Sequence, residues 1–157
     1  MKLILLSIGK TDSSILTQII NDYIKRVNFY IPFEIIIIPD LKNRKNLSEK
    51  EQKIMEGESM IKVLQPSDYL VLLDEKGKQH RSLEFADYIE KKMHSVSKRM
   101  VFIIGGPYGF SKEIYNIAND KISLSKMTFT HQMVRLLFVE QLYRAMTILK
   151  NEPYHHE

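Results

Sequence analysis

The chain contains no cysteine, so disulfides and thiolate metal sites are excluded and nothing points to an oxidising compartment. Long hydrophobic runs are missing too. The first apolar stretch, residues 3–8, is bounded by Lys2 and by Gly9-Lys10, too short for a signal peptide or a membrane span. A cytoplasmic protein without a membrane partner is the expectation. No G-x-G-x-x-G follows the first apolar run and no G-K-[ST] occurs anywhere, which speaks against a dinucleotide turn and a phosphate-cradling loop. There is no internal repeat, low-complexity segment or linker. What is present is 157 residues with 44% hydrophobic content, enough for a core in one domain spanning 1–157. A net charge of +4 and a pI near 9.1 mildly favour a polyanionic partner.

Short apolar runs alternate with helical patterns, the mark of an α/β chain with a mostly parallel sheet flanked by helices. Strands are expected at residues 2–8, 33–38, 69–73, 100–104 and 122–124. A helix over 12–29 carries Ile15, Ile19, Tyr23 and Val27 along one stripe. Ser48 and Glu51 have capping-box spacing for a helix to about Leu64. Residues 74–78 read as a turn, and Ser82 can cap a helix that buries Ala86, Ile89 and Met93. Ser111 caps a short helix through Ala118, the final helix spans 131–150, and 151–157 form a tail.

Parallel sheets bind ligands beyond the carboxyl ends of their strands, which directs attention to the segments after Leu73, Ile104 and Leu124. Gly105, Gly106 and Gly109 let a backbone approach a ligand closely, although a tight turn alone would also explain them. The run Leu124-Ser-Lys-Met-Thr-Phe-Thr-His-Gln-Met-Val-Arg135 is chemically specific for a connection. Ser125, Lys126, Thr128 and Thr130 offer donors, Met127 and Phe129 apolar surface, and His131 and Arg135 stand on the first turns of a helix.

On that helix Glu140, Arg144 and Thr147 form a narrow polar stripe, with Glu140 and Arg144 spaced as an ion pair. Arg135 lies nearly opposite, in an arc that should be buried, where an arginine calls for a carboxylate, a phosphate or a subunit boundary. Apolar residues cover most of the circumference, so burial on two sides and a homodimer interface are expected. Tyr154 with His155 and His156 makes an aromatic tip suited to stacking on a base, or else a disordered tail. Adjacent histidines without carboxylate or cysteine companions make a poor metal site, and no metal is expected. The basic clusters at residues 42–45, 91–92 and 98–99 read as solvated surface unless the loop belongs to an RNA-modifying site.

Together, Ile8-Gly9-Lys10, Leu73-Asp-Glu-Lys-Gly-Lys78, Ile104-Gly-Gly-Pro-Tyr-Gly109, Leu124-Ser-Lys-Met-Thr128, His131-Gln-Met-Val-Arg135, Glu140-Gln-Leu-Tyr-Arg144 and Pro153-Tyr-His155 give a whole-chain likeness. The chain resembles the ribosomal large-subunit methyltransferase H family, SPOUT-class enzymes that methylate N3 of a pseudouridine in 23S rRNA. The resemblance implies a single-domain SPOUT fold with a C-terminal deep trefoil knot, which general connection rules would have rejected. It implies S-adenosylmethionine held around Leu73, Gly105, Leu124, Ser125, Lys126, Met127, Thr128 and Phe129. It also implies a homodimer acting on 23S rRNA, within the large subunit or the assembled ribosome, with the RNA site shared between subunits and the tail close to the target base. Arg135, Arg144, Tyr154 and His155 match RNA-facing or catalytic positions, and His131 or His155 could accept the N3 proton, unless arginines stabilise an anion formed without a protein base. Thr130 replaces a proline usual before the histidine, and His156 a permanently basic residue. The alternative is a non-catalytic knotted RNA- or ribosome-binding module, or a small nucleotide-binding regulator.

Overall fold

The computed structural model describes residues 1–156, so Glu157, the last residue of the expected tail, lies outside the described residues. Five strands, β1 (Lys2–Ile8), β2 (Phe33–Ile38), β3 (Tyr69–Gln79), β4 (Arg99–Ile104) and β5 (Asp120–Ser123), form one sheet in the order β2-β1-β4-β3-β5. Every pairing is parallel. Because side chains alternate across a strand, Leu3, Leu5 and Phe102 enter one core while Ile4, Leu6 and Ile103 enter another.

The helices divide between those two cores. α1 (Ser14–Asn28), α3 (Ser82–Ser95) and α5 (His131–Leu149) cover the first face, and α2 (Glu49–Ile61) and α4 (Lys112–Ile117) the second. Their starts follow local chemistry: Ser13 Oγ accepts from the Leu16 amide, Ser48 and Glu51 form the reciprocal capping box, and Ser111 caps α4. At α3 the cap position is Arg81, with Ser82 the first helical residue. The 3-10 turn at Arg44–Asn46 interrupts the basic loop after β2.

Three packing expectations are corrected. The buried face of α1 centres on Ile20 and Val27, and at ~100° per residue Ile15 is turned about 140° from Ile20. Ile15 is accordingly 71% exposed, and Ile19 is exposed as well. In α3, Phe85, Ala86 and Ile89 are buried, but Met93 is exposed and Val96 closes that end of the core. The last helix finds its two-sided burial inside one chain, packing against both α1 and α3 over the sheet. Its all-round apolar character therefore does not by itself require a partner subunit.

Residues 74–78 are not a simple turn either. β3 continues through them with a register shift, so that Leu73 and Lys78 both pair with Ile122. Gly77 permits this, because a Cβ there would come within 2.6 Å of the Ile122 backbone. The excursion carries Asp74, Glu75 and Lys76 out beyond the sheet, where they border the site described next.

Candidate functional site

β4, β3 and β5 are neighbours, so their carboxyl ends open side by side into a cavity of about 520 Å³. Sites for small ligands commonly occupy ~300–1,000 Å³. Leu73, Gly105, Leu124, Ser125, Met127, Thr128 and Phe129 all line it, as does His131. Lys126 is the exception: it is exposed and not among the lining residues, because the loop turns its side chain outward.

Hydroxyls shape that loop. Ser123 Oγ donates to the Ser125 carbonyl at 2.9 Å, and Ser125 Oγ accepts from the Met127 amide at 3.0 Å. Thr130 caps α5 by accepting from the Met133 amide at 3.3 Å. A proline could not accept that bond, so threonine at this position secures the start of α5.

Opposite the loop, Gly109 accepts a left-handed φ of 82° and its amide donates to the Gly106 carbonyl at 3.0 Å, closing a tight turn. A Cβ on Gly105 would meet the Gly109 backbone and the Phe110 ring at 3.3 Å. A side chain at Gly105 would thus press on the turn itself, and the Gly109 backbone and Phe110 ring would have to give by a few tenths of an ångström.

Some lining residues, Lys53, Phe110 and Tyr115, lie outside every motif read from the sequence. Lys53 reaches the cavity from α2, far away in the chain, and Asp74, Tyr108, Phe110 and Tyr115 also border it. Tyr115 donates to Asp74, and burial followed by that bond pushes the Tyr115 hydroxyl up to about 12. Carboxylates, a lysine, hydroxyls and apolar surface in one cavity suit a ligand that is cationic at one point, anionic at another and carries a flat apolar ring.

His131 is held below its ordinary pKa, first by burial and then by the Arg135 charge, so its imidazole is neutral at pH 7 and able to accept a proton. The unfolded chain therefore binds this proton more readily than the folded one. Stability should fall as pH drops through ~6.5, the unfolded value, and level off below the lower folded value. His131→Gln should flatten this part of the profile. Parallel melting curves for both proteins across that range would show that His131 is not the group responsible.

Arg135 is only 2% exposed. Its Nε donates to Ser7 Oγ at 2.9 Å, one terminal nitrogen to Thr11 Oγ1 at 2.9 Å, and the other to the carbonyls of Ile8 at 2.8 Å and Gly9 at 2.6 Å. The expected carboxylate or phosphate partner is replaced by four neutral oxygens at the end of β1. In this chain the guanidinium is committed to holding the β1–α1 loop, with Gly9 at φ 76°.

Residues 151–156 fold back onto the rest of the chain. Asn151 takes a left-handed φ of 55° and reverses the chain after α5. The Glu152 amide then donates to the Thr147 carbonyl at 2.9 Å, and Tyr30 donates to Glu152 at 2.5 Å. Tyr154 donates to Glu140 at 3.0 Å and lies 4.7 Å, edge on, from the Tyr143 ring. Arg144 forms the expected i,i+4 pair with Glu140 at 2.5 Å, lies 4.7 Å over the Tyr154 ring and reaches His155 Nδ1 at 3.3 Å. Arg144, Tyr154 and His155 are thus one cluster, but Glu140 follows His131 by nine residues, about 13 Å along α5 and on its opposite side. A single chain does not bring the tail to the cavity.

The model of the family described as "Predicted SPOUT methyltransferase" matches residues 1–155. A solved structure described as a probable methylase family protein from Haemophilus influenzae shares the fold, with a TM-score of 0.53 at 11% identity over 95% of this chain and 66% of that one. The "Ribosomal RNA large subunit methyltransferase H" of Parabacteroides distasonis is 64% identical over the full length of both chains. Those of Phocaeicola vulgatus and Christiangramia forsetii are 61% and 60% identical, covering 100% and 97% of each chain. The chain therefore belongs to the ribosomal RNA large subunit methyltransferase H family of SPOUT methyltransferases. Among the described residues no cluster of side chains could hold a metal ion, and no helix is long and apolar enough to cross a membrane.

Proposed function

We propose that the protein is an S-adenosylmethionine-dependent methyltransferase of 23S rRNA, acting at N3 of a pseudouridine as a cytoplasmic homodimer of single-domain, knotted subunits. The observation that carries this reading is the cavity at the ends of β3, β4 and β5, lined by seven of the eight residues that the family resemblance assigns to the cofactor. Its chemistry fits S-adenosylmethionine: Asp74 and Glu75 for the positive centre, Lys53 for the carboxylate, and Leu124, Met127, Phe129 and Phe110 for the adenine. When bound, that cofactor supplies a methyl group on a sulfonium, ready for an in-line nucleophile.

The protein's own task is then to orient the base, take up the N3 proton and exclude water. His131, neutral and at the cavity wall, is placed to accept that proton. Arg144, Tyr154 and His155 serve the acceptor RNA, and Arg135 acts beside His131 by holding the loop after β1 against the start of α5. A homodimer reconciles the two halves of the site, because a partner's tail cluster can reach a cavity that a chain's own tail cannot. Exposed Met127, 75% accessible, and Met133 provide apolar surface beside the cavity for such a contact.

Labelled methyl transfer to ribosomes and to free rRNA from cells lacking the modification tests this reading. Transfer to neither would favour a non-catalytic binding module. Tyr154→Ala should keep cofactor affinity by calorimetry while transfer falls by roughly 5–150-fold, the range expected when a stacking contact of ~1–3 kcal/mol is lost. A chain ending at Pro153 that methylates at the normal rate would remove the tail from the acceptor site.

A further inference from the structure

Behind the glycine turn, α2 presents a buried face of Gln52, Glu56, Gly57 and Met60. The approach is close: a Cβ on Gly57 would lie 2.5 Å from Ser111 Oγ, the cap of α4. Beside it Glu56 is 3% exposed, an unusual position for a carboxyl group. Gln52 Nε2 donates to its Oε1 at 2.9 Å, while Oε2 is buried with no hydrogen-bond partner among the described residues. A Cβ on Gly106 would stand 2.0 Å from that Oε2, so the carboxyl lies against the open side of Gly106.

We propose that Glu56 is a positioning residue of the cofactor cavity, whose carboxyl, anchored by Gln52 and seated against Gly106, sets the position of the turn at residues 105–109. The proposal rests on the cofactor reading above. Asp40 and Arg44, from the segment after β2, are the charged groups acting on it from outside its own helix, and they pair with each other at 3.1 Å. Lys53 on the same helix faces the cavity. Burial is the largest influence and raises the pKa of Glu56 above its ordinary value. Shape and hydrogen bonding, rather than charge, are what the turn requires of it.

Calorimetric titration of the full chain with S-adenosylmethionine and S-adenosylhomocysteine, with melting curves as a check on folding, tests this. Glu56→Gln preserves the shape without the charge and should bind like the wild type. Glu56→Ala should weaken binding about tenfold, as expected if the turn then occupies its competent position ~10% of the time. Glu56→Asp, which withdraws the acid by one methylene, should weaken binding in the same direction. Gly106→Ala should weaken binding because its Cβ cannot coexist with Oε2, and adding Glu56→Ala should recover part of that loss, since contacting sites are not additive. Wild-type affinity in folded Glu56→Ala or Glu56→Asp, equal weakening by Glu56→Gln, or strictly additive losses would overturn the proposal. A wild-type chain that binds neither probe would overturn the cofactor reading and this proposal with it.

Discussion

Arg135→Met should destabilise the folded chain by at least ~4 kcal/mol, because it strips the partners from two carbonyls and two hydroxyls at the end of β1, and each unsatisfied buried acceptor costs ~1–3 kcal/mol. Methionine fills the volume of the arginine stem but offers no donor to Ile8, Gly9, Ser7 or Thr11. Burial lowers the pKa of Arg135, opposed by Asp40 and Asp12, yet a guanidinium stays charged throughout the useful pH range. Its loss should therefore appear as a lower denaturation midpoint at every pH tested. Arg135→Lys should fall between, since one ammonium cannot span the four oxygens that the planar fork reaches. If Arg135→Met were as stable as the wild type but lost RNA binding, the guanidinium would have to face the acceptor.

Leu142→Glu should abolish folding at neutral pH. Leu142 is fully buried in the core formed by Phe138, Val139, Ala145 and Met146 with α1, α3 and the sheet. Removing a buried leucine costs ~2–5 kcal/mol, and an unpaired buried carboxylate adds several more. The sum is comparable with the ~5–15 kcal/mol stability of an ordinary domain. Circular dichroism should show an unfolded chain. Met133→Glu, on the exposed side of the same helix, should leave the fold intact and so isolates any effect on a dimer. A folded, monomeric Leu142→Glu protein would place that residue at a subunit interface instead.

Most elements were legible in the chain because local rules govern them. Ser48 and Ser111, read as caps, mark helix starts through bonds to amides three residues ahead, as do Ser13 and Thr130, which were not singled out as caps, and period-two burial follows from strand geometry. Legibility failed wherever a residue's surroundings come from elsewhere. Ile15 and Met93 fit apolar stripes but overhang the core. The turn expected at residues 74–78 became a strand excursion because Ile122 supplies the partner twice. Lys53 carries no motif, and only the packing of α2 beneath the sheet's ends brings it to the cavity.

By itself the sequence determined the α/β class, the five helices and, apart from the extension of β3 to Gln79, the five strands to within a few residues, and the three strand-end segments that converge on one cavity. These depend on periodicity, caps and the parallel arrangement, all encoded within short windows. Tertiary structure alone decided what Arg135 touches, since its partners stand 124–128 residues away. It likewise decided that the tail folds back onto Glu140 and Tyr143, that α5 is buried twice within one chain, and that Glu56 lies beneath Gly106. The physical reason is common to all four. A side chain's own type states what it needs, a donor, an acceptor or burial, but which distant backbone satisfies that need is settled only when the sheet brings the ends of its strands together.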